Sequence, residues 1–172
     1  MKINNKNIVL TGGCNGIGSE IVKQFSEKGA RVVVGDISKK ISLINKYENC
    51  LGIFCDVTNE ESIKKLVKKA EKFFGPVDMF ISNAGIMKGE KKSSTFANNK
   101  LWQLCWDLHV MSHVYAARTT LPNMIKRRKG YFLQIISAAA LLTQIGDAAY
   151  SASKSASLSF AESLAINHAD EG

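Results

Sequence analysis

Tyr150 and Lys154 stand four residues apart in Tyr150-Ser151-Ala152-Ser153-Lys154, a segment that opens an apolar stretch with helical spacing. On a helix that spacing puts both side chains on one face. A phenol with a pKa near ~10 is a poor base at neutral pH, but an adjacent ammonium stabilises the phenolate and lowers that value. The pair is therefore suited to exchanging a proton with a substrate oxygen. Far upstream, Thr11-Gly12-Gly13-Cys14-Asn15-Gly16-Ile17-Gly18 follows a short apolar run and leads into Glu20-Ile21-Val22 and Phe25 at helical spacing. Glycines permit positive φ and let backbone N–H groups approach a pyrophosphate, whose charge a helix N-terminus favours. Each pattern alone is common, and their weight comes from the elements that carry them.

Those elements are legible as short apolar runs alternating with amphipathic ones. Residues 8–10, 31–34, 51–55, 78–82 and 131–136 read as strands, and residues 16–28, 38–47, 59–74, 99–128 and 151–168 as helices. The strand runs are apolar almost throughout, which suits a parallel sheet covered on both faces. The alternation predicts right-handed crossovers and an α/β, doubly wound, Rossmann-like sheet in a single domain. Pro122 should kink the long fourth helix or split off its last turns, because it cannot donate to the carbonyl four residues earlier. The polar stretch 88–100 reads as a long loop.

Charge excludes more than it suggests. The 172 residues carry a net charge of +8, but Lys64, Lys65, Lys68, Lys69 and Lys72 fall opposite Ile63, Leu66, Val67 and Phe73, as on a solvated helix face. Lys126-Arg127-Arg128-Lys129 closes another helix, where cations complement the dipole. Nucleic acid is not an expected partner, since no aromatic or groove-binding motif accompanies the charge. No apolar run is long enough for a membrane span or a signal peptide, so no membrane partner and a cytoplasmic location are expected. Cys14, Cys50, Cys55 and Cys105 form no CxxC pair, and no metal site is expected. Asp36 closes the second strand, where a carboxylate can accept hydrogen bonds from both ribose hydroxyls and would repel a 2′-phosphate. NAD is favoured over NADP.

The spacing TGxxxGxG, with YxxxK downstream, resembles the short-chain dehydrogenase/reductase family of compact one-domain subunits. The resemblance implies that Gly12, Gly16 and Gly18 shape the cofactor loop, with Asn15 in it and Ile17 packing beside it. NADP-using members often carry a base at the positions of Asn15 and Ile37, and neither is basic here. Asp56 and Val57 after the third strand match the adenine-contacting pair. Asn83-Ala84-Gly85 after the fourth strand matches the NAG motif, and Ser137 after the fifth matches the serine that hydrogen-bonds the substrate oxygen. Such a donor positions a carbonyl and stabilises charge developing on its oxygen. Lys154 is implied to hold the nicotinamide ribose besides lowering the pKa of Tyr150. At His109 the family usually has Asn, which supports a water in a proton relay; imidazole also donates and accepts, so His109 is either a substitute relay member or a packed histidine. His113, one turn on, is expected to be structural.

What the family implies for the whole is an NAD-dependent oxidoreductase that interconverts a secondary alcohol and a ketone, working on a small-molecule substrate as a homo-oligomer. The helices of residues 99–128 and 151–168 usually form its subunit interface, and Leu158, Phe160, Ala161, Leu164 and Ile166 could serve core or partner. The family domain also continues past the YxxxK helix into a Pro-Gly segment and final strands, whereas no proline follows Pro122 here. The chain is therefore expected to lack those strands and to leave the fifth strand as an open edge. A non-catalytic NAD-binding or interaction module is the alternative this raises. Leu141, Leu142 and Gln144 are expected to line what the chain holds of the substrate site.

Overall fold

The computed structural model describes residues 2–88 and 97–172. Its centre is a five-stranded sheet of β1 (Asn7–Thr11), β2 (Arg31–Asp36), β3 (Cys50–Phe54), β4 (Met79–Ser82) and β5 (Tyr131–Gln134). All pairings are parallel, in the order β3-β2-β1-β4-β5. Successive side chains of a strand point to opposite faces, and the apolar runs therefore feed two cores at once. Val9, Val33 and Phe80 enter one, with Ile63, Leu66, Val67, Ala116 and Met124 from the helices. Their neighbours Ile8, Leu10, Val32, Val34, Met79 and Ile81 enter the other, with Val22. Phe80 and Phe132 stack across β4 and β5 with ring centroids 5.6 Å apart.

Helix α1 (Gly16–Glu27) covers one face, and α2 (Glu60–Phe74) and α4 (Ser112–Lys126) cover the other. Asn59 caps α2 by accepting the Ser62 N–H at 3.1 Å, Glu60 and Glu61 follow in its first turn, and Gly75 ends it at φ +88°. Each placement answers the orphan groups or the dipole of a helix end. Helix α3 (Asn99–Trp106) precedes α4, and α5 (Ala148–His168) packs against α3 and the turn that joins it to α4.

Three local expectations are corrected. Residues 38–47 form a 3-10 helix over Lys39–Lys46, closed by the Ser38 side chain on the Lys40 N–H, and not an α-helix. The long fourth helix is divided at Asp107–Met111 by a π-helical turn, not at Pro122, through which α4 continues to Lys126. Pro122 and Arg118, whose carbonyl loses its donor, are both exposed, a setting in which solvent can replace the lost donor. Residues 99 and 100 belong to α3, and residues 89–96 of the expected loop lie outside the described residues. As expected, β5 pairs only with β4 among the described strands. A groove of about 470 Å³ runs along it, lined by Leu121, Met124, Phe132, Ala161 and Leu164 among others. No helix among the described residues is long and apolar enough to cross a membrane.

The order reverses between β1 and β4: from β1 the chain moves outward to β2 and β3, then crosses back to β4 and β5. The loops after β1 and β4 therefore diverge, leaving a crevice at the carboxyl ends of the strands, where open α/β sheets bind ligands.

Candidate active site

Two turns form the crevice floor. Gly12 takes φ +72°, and a Cβ there would sit 2.7 Å from the Cα of Ala84, so the β1 and β4 loops touch backbone to backbone. Asn83 locks that contact by donating from Nδ2 to the carbonyls of Thr11 and Gly12, both at 2.9 Å. Thr11 Oγ1 accepts the N–H groups of Asn83 at 3.1 Å and Ala84 at 3.2 Å. Gly16 takes φ +54°, with no atom of the described residues within 4 Å of its missing Cβ. Helix α1 begins there with no side-chain cap bond from Asn15 and no acid in its first turn. Uncapped N–H groups at the positive end of a helix dipole, beside an open glycine, fit a pyrophosphate.

Asp36 is held at the end of β2 by Cys14 N–H on Oδ2 at 2.9 Å and Ser38 N–H on Oδ1 at 2.8 Å. Burial and this carboxylate push the Cys14 thiol up to about 11, so it stays a neutral, protonated neighbour. Asp56 accepts from both the N–H and the hydroxyl of Thr58 on Oδ1, at 3.0 and 2.7 Å. That turn aims Asp56 and Val57 along the crevice.

The other end of the cleft is assembled from β5 and α5. Ser137 follows β5, and its Oγ accepts the Ala139 N–H at 3.2 Å, which leaves its own proton available. Tyr150 lies in the first turn of α5, with Lys154 one turn on and its Nζ 5.8 Å from the phenol ring centroid. Lys154 is 5% exposed, and Nζ donates to the Ile135 carbonyl at 3.3 Å. Burial pulls its pKa below the ordinary lysine range. Gly12, Asn15, Gly16, Ile17, Gly18, Asp36, Asp56, Val57, Asn83, Ala84, Gly85, Ser137, Tyr150 and Lys154 all line one cleft of about 760 Å³.

His109 lies behind this wall, fully buried. It sits in the π-helical turn with its ring edge-on to Tyr150, centroids 5.3 Å apart. Desolvation foremost, then Lys154, lowers its pKa to about 3. Leu141 and Leu142 are 78% and 74% exposed and, like Gln144, do not line the cleft; Met87, Leu104, Leu108, Ile135 and Ile136 supply its apolar wall instead. Thr58, Ile86, Ser153 and Ser157 escaped sequence reading: no motif marks a capping threonine or a serine spacer inside YxxxK.

The chain matches the model of the short chain dehydrogenase family over residues 6–172. It belongs to that family. The 3-oxoacyl-[acyl-carrier-protein] reductase FabG of Buchnera aphidicola is 32% identical over 176 aligned positions, covering the whole of this chain and 71% of that protein. An uncharacterized oxidoreductase of Listeria monocytogenes is 33% identical over 178 positions, with the same coverage. A short chain dehydrogenase/reductase from Burkholderia phymatum, solved in complex with NAD, has the same fold, with a TM-score of 0.92 at 23% identity over 100% of this chain and 63% of that one. The protein is thus a short-chain dehydrogenase/reductase with a Rossmann-like parallel sheet.

This short-chain dehydrogenase buries two imidazoles in one helical stretch, with a consequence for acid stability. His113 is also buried and its pKa is lowered to about 4, mainly by desolvation. Its Nδ1 meets Gln134 Oε1 at 2.9 Å, and its Nε2 has no partner among the described residues. Both histidines take up protons near pH ~6.5 when unfolded but not when folded, so stability is lost as pH falls below that value. The pair is expected to remove on the order of 3 kcal/mol between pH 7 and pH 5. Urea unfolding at the two pH values measures it; equal stability would contradict the neutral burial of both rings.

Proposed function

We propose that the protein interconverts a secondary alcohol and a ketone by hydride transfer with NAD as its cofactor. The observation that carries the reading is the convergence of Ser137, Tyr150 and Lys154 on the same cleft as the glycine loop and Asp36. Bound NADH supplies the hydride. Ser137 Oγ donates to the carbonyl oxygen, fixing it and stabilising charge as it builds. Tyr150 delivers its phenolic proton to that oxygen, and in the oxidative direction takes it back. Lys154 lies one turn along α5 from Tyr150, and its position beside Gly85 suits it to the nicotinamide ribose; a Cβ on Gly85 would lie 3.7 Å from Nζ.

NAD is favoured by Asp36, whose two oxygens keep further lone pairs for the ribose hydroxyls and whose charge would oppose a 2′-phosphate. Asp36→Ala is expected to weaken NAD binding about 10- to 100-fold, the range for hydrogen bonds to a charged group, and to erase discrimination against NADP. Unchanged preference in cofactor titrations would sink the assignment. The name of the Buchnera aphidicola relative favours reduction of a ketone, and the apolar wall formed by Met87, Leu104 and Leu108 favours an apolar substituent beside the carbonyl. Half-buried Leu158, Phe160, Ala161 and Leu164 on α5 support self-association. Following NADH consumption with a panel of ketones tests the reading: NADH binding without any turnover would leave only a nucleotide-binding module.

A further inference from the structure

The bonds around His109 define its state. Ile86 N–H can only donate, and it reaches His109 Nε2 at 3.2 Å. Nε2 is therefore the acceptor, and the ring proton sits on Nδ1. Nδ1 then donates to Ser153 Oγ at 2.8 Å, and Ser153 donates its own proton to the Tyr150 carbonyl at 2.8 Å. Every proton in this chain of bonds has one place. The backbone of His109 is held as well: Ser157 Oγ, from the next turn of α5, reaches its carbonyl at 2.6 Å. The π-helical turn at Asp107–Met111 sets the ring in that position, since it shifts the helix register just where His109 must face α5.

The partners at the two ends belong to different parts of the site. Ile86 follows the Asn83 to Gly85 turn that forms the cofactor wall, and Ser153 lies between Tyr150 and Lys154 on α5. We propose that His109 is a positioning residue, a single fixed tautomer that ties the cofactor wall to α5 and so sets Tyr150 and Lys154 against the nicotinamide end of the cleft. The titratable groups facing it are Lys154 and Tyr150 from α5 and His113 from its own helix. Protonating Nε2 would require breaking the Ile86 bond next to the Lys154 ammonium, so the ring holds geometry and passes no proton on during turnover. The catalytic half of this inference rests on the reductase reading above.

Imidazole 15N NMR from pH 8 to 5, together with the kinetics of His109→Leu and His109→Gln, tests it. Nδ1 is expected to stay protonated and Nε2 bare, with no titration in that range. His109→Leu is expected to lower kcat for ketone reduction by about 30-fold or more, the scale of a small misplacement of reacting groups, with KM for the ketone little changed. His109→Gln, whose amide can accept from Ile86 and donate to Ser153, should recover most of that loss with the same pH profile. Ser153→Ala, which removes the Nδ1 partner together with the Ser153 bond to the Tyr150 carbonyl and leaves the Ile86 bond in place, stands in should His109→Leu not fold, with a smaller loss of the same kind. His109 titrating between pH 8 and 5, a Gln variant as slow as Leu with an altered pH profile, or a Leu or Ala variant as fast as the unaltered protein would overturn the proposal. If the unaltered chain reduces no ketone, the reductase reading falls and NMR decides the tie alone. Ile86 amide and Ser153 signals displaced in His109→Leu, or the Ile86 amide signal displaced in Ser153→Ala, and retained in His109→Gln would uphold it, and undisplaced signals would overturn it.

Discussion

Tyr150→Phe is expected to lower kcat/KM for ketone reduction about 10³-fold while leaving NADH affinity within about 2-fold. Phenylalanine keeps the ring that packs edge-on to His109 and beneath Lys154, so α5 and its neighbours need not move. What leaves is the hydroxyl proposed to pass a proton to the substrate oxygen, and positioned general acids contribute about 10²- to 10⁴-fold. Ser137 still orients the carbonyl, which is why a residual rate should persist. Steady-state rates and NADH fluorescence titration on the same preparation separate the two effects. A loss under about tenfold would place proton transfer on another group, whereas a parallel loss of NADH binding would make Tyr150 part of the cofactor site first.

How much of this was legible in the residues varied with the length scale of the signal. The sheet was legible because its strands are buried on both faces: Ile8 to Leu10 and Val32 to Val34 are apolar without interruption, and only a parallel strand between two helical layers needs that. The glycine loop was legible because positive φ and backbone contact leave no other residue type at Gly12. The π-helical turn was not, since one extra residue per turn changes no composition and Trp106 to Met111 keeps helical periodicity around it. Pro122 misled because the rule concerns a lost donor, and it does not say whether water can reach the orphaned carbonyl. Asn83 illustrates a subtler limit. Asn83 of the NAG motif lines the cleft, but its side-chain amide turns inward to hold Thr11 and Gly12, a direction that depends on a loop 71 residues away. Ser153 was invisible for the same reason: only the folded packing of α5 on the π-helical turn turns it toward His109 instead of solvent.

The glycine loop carries the second large effect, and the contrast between two of its members makes it testable. Gly18→Ala is expected to weaken NADH binding about 100-fold and to destabilise the fold by about 2–3 kcal/mol, the upper part of the range for overpacking. A methyl group there would overlap the carbonyl oxygen of Gly12 and lie 2.6 Å from Asn83 Nδ2. The first obstacle is backbone, which cannot swing aside as the end of a long side chain can. Either α1 withdraws from the loop or the loop opens. Withdrawal pulls the N–H groups of the first turn of α1 away from the pyrophosphate, and opening breaks the Asn83 bonds that join the β1 and β4 loops; both dismantle the cradle. Gly16→Ala poses a different problem, for its Cβ would meet nothing within 4 Å and only its φ of +54° resists substitution. That conformational strain is about 1–2 kcal/mol, so Gly16→Ala should bind NADH more tightly than Gly18→Ala. Fluorescence titration with NADH and urea unfolding of both variants measure the difference. A Gly18→Ala protein that binds NADH as well as the unaltered chain would mean that the contact between α1 and the Gly12 carbonyl does not shape the nucleotide site.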